Sequence, residues 1–353
     1  MMGKQSIGYA VIDPILRENG LESDDAFWFI ANYYQRMSKT NCPDSCKGYI
    51  ENITERYELI MEEKKISARI SDQLGTEISQ NDLANCYEYY IGRRFRSRTG
   101  KFFTPQRIAT FMASCIPKND DLVVFDPTCG GGTFLTEISE RLSDCKATLI
   151  GNDVDSSLVA LTELRISLAN RDMHKFVSNS ANLYKSSKFF DKWKSKVDYI
   201  IANPPFSLKI ETIDFQSPMF NIGLKDSDMI FIDIAWSLLK QGGRMITLLP
   251  HSLSSNQDFS AFRKNVEQYW NILSIITLPE GTFHMTSNTS TRPDILILEK
   301  KDVSKEQEFN ILLSNITTVG YKLNQRDKNV GDDLAELRNS IEFIKHLNLE
   351  VLP

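Results

Sequence analysis

Residues 198–207 read DYIIANPPFS, an apolar run that ends in an Asn, two prolines and an aromatic. Prolines end a sheet ladder and Asn favours turns, so the stretch is either an ordinary strand exit or a place where chemistry is done. The side-chain carbonyl of Asn203 and the backbone carbonyl of Pro204 can accept two hydrogen bonds from one amino group, on a loop stiffened by Pro204 and Pro205. A planar exocyclic amine is a poor nucleophile because its lone pair is delocalised into its ring. Two acceptors that draw its hydrogens out of the ring plane localise that pair and aim it at an electrophilic methyl. Phe206 offers a flat face for the ring, and base stacking of this kind is worth about 1–3 kcal/mol. Reaching a base in a duplex would require flipping it out.

A second constellation lies upstream. FDPTCGGGTFL sets Gly130, Gly131 and Gly132 between an apolar run and a helical pattern, and GNDVD follows with Asp153 where an acid can hold ribose hydroxyls. The layout suits a nucleotide-like ligand, yet the turn is not GxGxxG, and Asp126 at its start would repel a pyrophosphate. A carboxylate there attracts an ammonium. That favours S-adenosylmethionine, with its amino-acid ammonium and cationic sulfonium, over a dinucleotide.

These residues need a scaffold that brings two loops to one edge. Apolar runs at LVVFDP, ATLIGNDVD, KFVSNSA, VDYIIANP, GRMITLLP, ILSIITLP and PDILILEK read as strands. Helical patterns at TFLTEISERLS, SSLVALTELRISLAN, DSDMIFIDIAWSLLK and DFSAFRKNVEQYW alternate with them, so an α/β, doubly wound, mainly parallel sheet is expected. Ligands of such sheets bind at the C-terminal ends of the strands, where both loops would lie. Before the strands, DDAFWFIANYYQRM, ITERYELIMEEKKISARISDQL and SQNDLANCYEYYIGRRF read as helices of a packed bundle.

The chain has 353 residues, 41% hydrophobic and 25% charged, with a formal net charge of −5. No apolar run approaches a membrane span of roughly 18 residues and MMGKQSIGYAVIDP lacks the layout of a secretory signal, so no membrane contact and a cytoplasmic location are expected. Cys42 and Cys46 form the one close cysteine pair, with no second Cys/His pair at zinc-ligand spacing, so reduced thiols and no metal are expected. Arg93, Arg94, Arg96, Arg98, Lys101, Arg107 and Lys118 fall between Ile91 and Asn119 without one acid among them, which suits either a solvated hinge or a phosphate contact. Lys185, Lys188, Lys192, Lys194 and Lys196 read as a solvated face, and His251 and His284 as surface or core histidines.

DPTCGGGTFL, GNDVD and NPPF, in that order and after KFFTPQRIATFM, resemble the motifs of the amino-methylating DNA methyltransferases and, within them, the adenine-specific modification subunit of type I restriction-modification systems. The later stretches GRMITLLPHSLSSNQDFSAFR and ITLPEGTFHMTSNTSTRPDILILEK are also similar, so the resemblance covers roughly residues 79–345. It implies a class I S-adenosylmethionine-dependent methyltransferase fold, Rossmann-like, with a seven-stranded mostly parallel sheet and an N-terminal helical domain. The implied divisions are 1–92 for the helical domain, 93–303 for the methyltransferase domain with a cofactor-closing segment from 100, and 304–353 for a short extension ending in a helix.

Carried onto this chain, the resemblance places Thr104, Pro105, Asp126, Pro127, Thr128, Gly130, Gly131, Gly132 and Thr133 around the cofactor's methionine portion, Asp153 at its ribose and Asn182 at its adenine amine. Asn203, Pro204, Pro205 and Phe206 become the catalytic loop. Three positions depart from the family pattern. Gly131 stands where Ser is common and Thr133 where Gly is frequent, and neither removes a glycine whose backbone is needed; Asn182 stands where an Asp is expected, and can still accept a hydrogen bond.

The implied reaction is methyl transfer from S-adenosylmethionine to the 6-amino group of a flipped adenine in double-stranded DNA. About 50 residues follow the last strand, fewer than a target-recognition domain needs, so sequence choice is expected to rest with a separate specificity subunit, with a restriction subunit as a further partner. The N-terminal helices and the C-terminal helix are candidates for protein or DNA contacts. Two other readings stay open. A methyltransferase for another planar amine, a protein glutamine or an RNA guanine, usually carries Tyr in place of Phe206 and lacks the Thr-Pro segment. A non-catalytic DNA-binding scaffold with this fold would show a lost Asn or a broken glycine turn.

Overall fold

The computed structural model describes residues 5–75, 80–92, 104–168, 173–185, 188–210, 226–257, 260–283, 292–302, 310–323 and 330–352. The chain divides into two compact units, one of residues 1–101 with 157–171, the other of 102–156 with 172–353.

The first unit is helical: Gln5–Glu18, Asp24–Ser38, Asp44–Glu62, Lys64–Leu74 and Gln80–Tyr87, the last running into a wider turn at Glu88–Gly92. Its core is aromatic. Phe27 meets Trp28 and Tyr87 edge-on at 5.0 and 5.3 Å, and the Tyr9 and Tyr34 hydroxyls reach the carbonyls of Asp82 and Leu74. These two buried phenols thus keep a partner, at little cost to the packing. The helix Ser156–Leu168, which follows the second strand, belongs largely to this unit: Ser45 donates to Glu163 at 2.5 Å and the Cys46 thiol to the Ala160 carbonyl at 3.2 Å.

The second unit is built on one sheet. Its strands are β1 Leu122–Asp126, β2 Ala147–Asp153, β3 His174–Ser180, β4 Val197–Ala202, β5 Leu239–Pro250, β6 Trp270–Thr277, β7 Pro293–Lys300 and β8 Leu312–Asn315. They lie in the order β3-β2-β1-β4-β5-β7-β6-β8. All pairs are parallel except those of β7, which runs antiparallel to both β5 and β6. The seven expected strands are present, and β8 extends the sheet by one more. Central strands are apolar on both faces, with Phe125, Ile200, Ile201, Met245, Ile246 and Leu249 fully buried. This is what a parallel sheet between layers demands.

The strand order fixes where a ligand can sit. The chain moves outward from β1 through β2 to β3, then returns to β4 on the other side of β1, so a crevice opens between the C-terminal ends of β1 and β4. The register pairs Phe125 with Ile200, which brings the glycine turn after β1 beside the Asn-Pro-Pro-Phe loop after β4.

The C-terminal helices Asp333–Asn339 and Ile341–Leu347 are tied to this unit. Arg338 donates to the carbonyl and hydroxyl of Ser114, Arg244 to the Leu347 carbonyl, and Arg141 pairs with Glu350. Phe343, fully buried, packs on Phe111 with ring centroids 5.8 Å apart. The helix Gln106–Ser114 is thereby held from behind, and Thr104 and Pro105 lead into it. Among the described residues no helix is long and apolar enough to cross a membrane.

Candidate active site

The turn after β1 is shaped by two left-handed residues. Gly130 has φ +50° and Gly132 φ +80°, conformations that cost a residue with a Cβ about 1 kcal/mol or more. Gly132 caps the helix Thr133–Arg141, whose first turn aims at the crevice. The turn is stitched to β2: Cys129 N–H donates to the Asn152 carbonyl at 2.8 Å and Gly130 N–H to Asp153 Oδ2 at 3.0 Å. Asn152 completes the seam from inside, its amide donating to the Pro127 and Ala181 carbonyls and its Oδ1 accepting from Asn179. Asp153 Oδ1 also takes the Asp155 amide at 2.9 Å. The two bonds fix the Asp153 carboxylate at the C-terminal end of β2.

Asp126 is the unusual member of the set. It is 1% exposed; Oδ1 accepts from Thr128 N–H at 3.1 Å, while Oδ2 and the Thr128 hydroxyl have no hydrogen-bond partner among the described residues. Burial pushes its pKa well above the usual carboxylate range; the Thr128 amide opposes this and the nearby Asp153 charge reinforces it. A buried carboxylate oxygen left unpaired calls for a donor or a cation. The ammonium of an amino-acid moiety supplies both, so the residues present fit S-adenosylmethionine. Pro127, Gly131 and Thr133 line the same turn, and Thr133 begins the helix.

Asn182 behaves differently. It is exposed, and its side-chain oxygen accepts the Tyr184 amide at 2.9 Å, closing a local turn. That bond occupies one lone pair of the acceptor assigned to the adenine amine.

On the β4 side, Asn203 Nδ2 donates to the Thr104 hydroxyl at 3.1 Å, and Thr104 is buried. Thr104 of the Thr-Pro pair and the Asn of the Asn-Pro-Pro-Phe loop therefore meet directly, across 99 residues of sequence. With its amide nitrogen so engaged, Asn203 Oδ1 is the end left to accept. The Pro205 carbonyl is taken by the Ser227 hydroxyl at 3.2 Å, whereas the Pro204 carbonyl has no partner among the described residues. Two acceptors, Asn203 Oδ1 and Pro204 O, remain for an amine. The Phe206 ring meets Phe283 edge-on, centroids 6.4 Å apart, so two aromatics border the loop.

Phe283, Ser227 and Asp228 were not legible as site residues. Phe283 lies after β6, and the strand order brings that end to the same edge. Ser227 and Asp228 look in sequence like an ordinary helix start. His251 is partly exposed, and its Nδ1 sits 3.0 Å from the buried Asp294, which also takes the Ser254 hydroxyl. Arg93, Arg94, Arg96, Arg98, Lys101 and His284 lie outside the described residues. Among the described residues no group of three or more His, Cys, Asp or Glu could hold a metal ion.

The sequence profile of the N-6 DNA methylase family matches residues 78–339. The chain belongs to that family. The type II methyltransferase M.VspI of Vibrio sp. (strain 343) is 25% identical over 199 residues, covering 53% of this chain and 46% of its own. The methylase subunit of the type I restriction enzyme MjaVII of Methanocaldococcus jannaschii is 25% identical over 319 residues, 85% of this chain and 53% of its own. The chain thus spans about half the length of these curated methylases. In fold it is similar to a Listeria monocytogenes protein described as a class I S-adenosylmethionine-dependent methyltransferase, with a TM-score of 0.62 at 21% identity over 90% of this chain and 94% of that one. The fold is that of the class I S-adenosylmethionine-dependent methyltransferases.

Proposed function

We propose that this chain transfers the methyl group of S-adenosylmethionine to the 6-amino group of adenine in DNA, as the modification subunit of a type I restriction-modification system. The observation that carries the reading is the meeting at one sheet edge of an unpaired Asp126 carboxylate oxygen and a loop offering Asn203 Oδ1 and Pro204 O. Family membership and relatives named as type I methylase subunits support it.

S-adenosylmethionine supplies an electrophilic methyl group on a sulfonium. The chain's residues do the rest. Asp126 holds the amino-acid ammonium, the backbone of Gly130–Gly132 admits the chain of the cofactor closely, and Asp153 receives ribose hydroxyls. Asn203 Oδ1 and Pro204 O accept the two hydrogens of the adenine amine and localise its lone pair. Phe206 stacks on the flipped base and Phe283 borders it. Thr104 and Pro105 close over the cofactor's methionine end. We take residues 1–92 as a helical domain and 93–303 as the methyltransferase domain, whose sheet the 304–353 extension continues with β8. The partners are double-stranded DNA, a specificity subunit that chooses the sequence, and a restriction subunit.

The test has two arms. Calorimetric titration with S-adenosylmethionine is expected to show one site, weakened at least about tenfold by Asp126→Ala, the equivalent of roughly 1.4 kcal/mol. Transfer of tritiated methyl to unmethylated DNA by the chain with its co-purifying subunits is expected to label adenine, and Asn203→Ala to abolish labelling while leaving cofactor binding intact. Label on protein or RNA, or none with any nucleic acid, would reject the reading.

A further inference from the structure

We infer that Ser227 and Asp228, at the start of the helix Ser227–Leu238, are positioning residues that hold the Asn203–Phe206 loop in the shape that presents Asn203 Oδ1 and the Pro204 carbonyl. The inference rests on reading that loop as the amine-binding loop.

A loop with two successive prolines lacks two backbone donors, so it cannot be anchored by its own N–H groups there. Its anchors must come through its carbonyls or through the residues just after it, and both are found at one place. The Ser227 hydroxyl donates to the Pro205 carbonyl at 3.2 Å and accepts from the Leu208 amide at 2.9 Å. Both Asp228 oxygens take the Ser207 amide at 3.2 Å, and Oδ2 lies 3.5 Å from the Ser207 hydroxyl. The backbone adds a third tie, Ser227 N–H to the Leu208 carbonyl at 2.9 Å.

Two features mark this as more than a helix start. Ser207 has φ +53°, a left-handed conformation uncommon for a residue with a Cβ, and it follows Phe206 directly. The Asp228 bonds fix the residue in it, and so set the direction in which the loop leaves the ring. Second, the latch is selective. It consumes the Pro205 carbonyl and leaves the Pro204 carbonyl, so the same contacts that hold the loop decide which acceptor faces the amine.

Ser227 is fully buried and Asp228 is 2% exposed. Among the described residues, the groups facing Asp228 are Ser207, Ser227, the Tyr184 phenol and the Asp226 carboxylate, none of them cationic. Burial pushes its carboxyl up to about 6, against the opposing Ser207 amide and with the Asp226 charge adding to the rise. Only the ionised form offers both oxygens to Ser207, so the latch loosens as pH falls through that value. Apart from Tyr184, whose amide meets Asn182, these groups lie away from Asp126, the glycine turn and Asp153, so the latch acts on transfer more than on cofactor affinity.

The test uses the chain with its co-purifying subunits, tritiated S-adenosylmethionine and unmethylated plasmid DNA under single-turnover conditions. Ser227→Ala and Asp228→Ala are each expected to slow methyl transfer about tenfold to hundredfold, the scale of a displacement of an ångström, with cofactor Kd held within about threefold. Asp228→Asn should fall less than Asp228→Ala, because its carboxamide oxygen still accepts from the Ser207 amide. The parent's rate should decline towards that of Asp228→Asn as pH drops through about 6, and Asp228→Asn should lack this limb. Unchanged rates in the variants, or rates that fall only together with cofactor binding, would overturn the latch. A parent that binds S-adenosylmethionine but methylates no DNA adenine would overturn the amine-binding reading itself, and the latch with it.

Discussion

Asp126 and Asn203 each owe their proposed chemistry to what the fold denies them. Asp126 is buried with one oxygen unpaired, so in the free protein its proton is retained well above the usual carboxylate range. An ammonium placed against it favours the charged form. Cofactor binding is therefore expected to release a proton, and affinity to rise with pH until Asp126 is ionised in the free protein. Calorimetry in buffers of differing ionisation enthalpy reads the proton directly, and Asp126→Asn should bind more weakly with the pH dependence gone. No release by the parent would mean that the ammonium is held elsewhere. Sequence alone pointed to Asp126 and Asn203 because their types are out of place, an acid entering a glycine turn and an Asn beside two prolines. Their partners stayed hidden. The Thr104 hydroxyl that orients Asn203 lies 99 residues away, and the bond that ties Asn182 to Tyr184 is a local turn that no residue type announces.

At the scale of elements, the strands were readable wherever an apolar run met turn residues, and seven of them stand where that pattern puts them. β8 was missed because four residues with alternate side chains exposed carry too little pattern to distinguish a strand from a loop. The helix Gln5–Glu18 was hidden by Pro14 inside it, and the helix Asp44–Glu62 begins nine residues ahead of the expected Ile53. At the C-terminus the pattern DDLAELRNSIEFIKHL looks continuous, yet Ser340 leaves the helical conformation and its hydroxyl caps the next helix by accepting from Phe343. That break lets Phe343 turn onto Phe111 behind the helix that carries Thr104 and Pro105 at its entrance. Phe343→Ala should cost about 3–5 kcal/mol, as truncation of a large buried aromatic does. Ile341→Ala, at a position 70% exposed, should stay within about 0.5 kcal/mol. Denaturant midpoints at constant slope give both values. A small loss for Phe343→Ala would mean that the C-terminal helices do not buttress the segment ahead of β1.

For the whole molecule, the balance of charge sets a puzzle: a chain of net charge −5 belongs to a family that acts on a polyanion. A total says little about a local field, and the run from Ile91 to Asn119 is basic without interruption by acid. Two of its members hold acids within the second unit, Arg107 with Asp332 at 3.4 Å and Lys118 with Asp144 at 3.1 Å, so part of that charge is spent on the fold. Arg93, Arg94, Arg96 and Arg98 are the candidates for phosphate. If each neutralises one phosphate, binding of duplex DNA follows a log–log salt slope to which the four contribute roughly −0.9 apiece, about −3.6 together. Replacing all four with Gln should flatten the slope by that amount and weaken binding of every sequence alike, since phosphate contacts position without reading bases. Fluorescence anisotropy with two unrelated duplexes across a salt series measures both quantities. An unchanged slope would assign the four arginines to the hinge between a helical bundle and a sheet. A loss confined to one duplex would mean that they read sequence, a task the proposed function gives to a partner subunit.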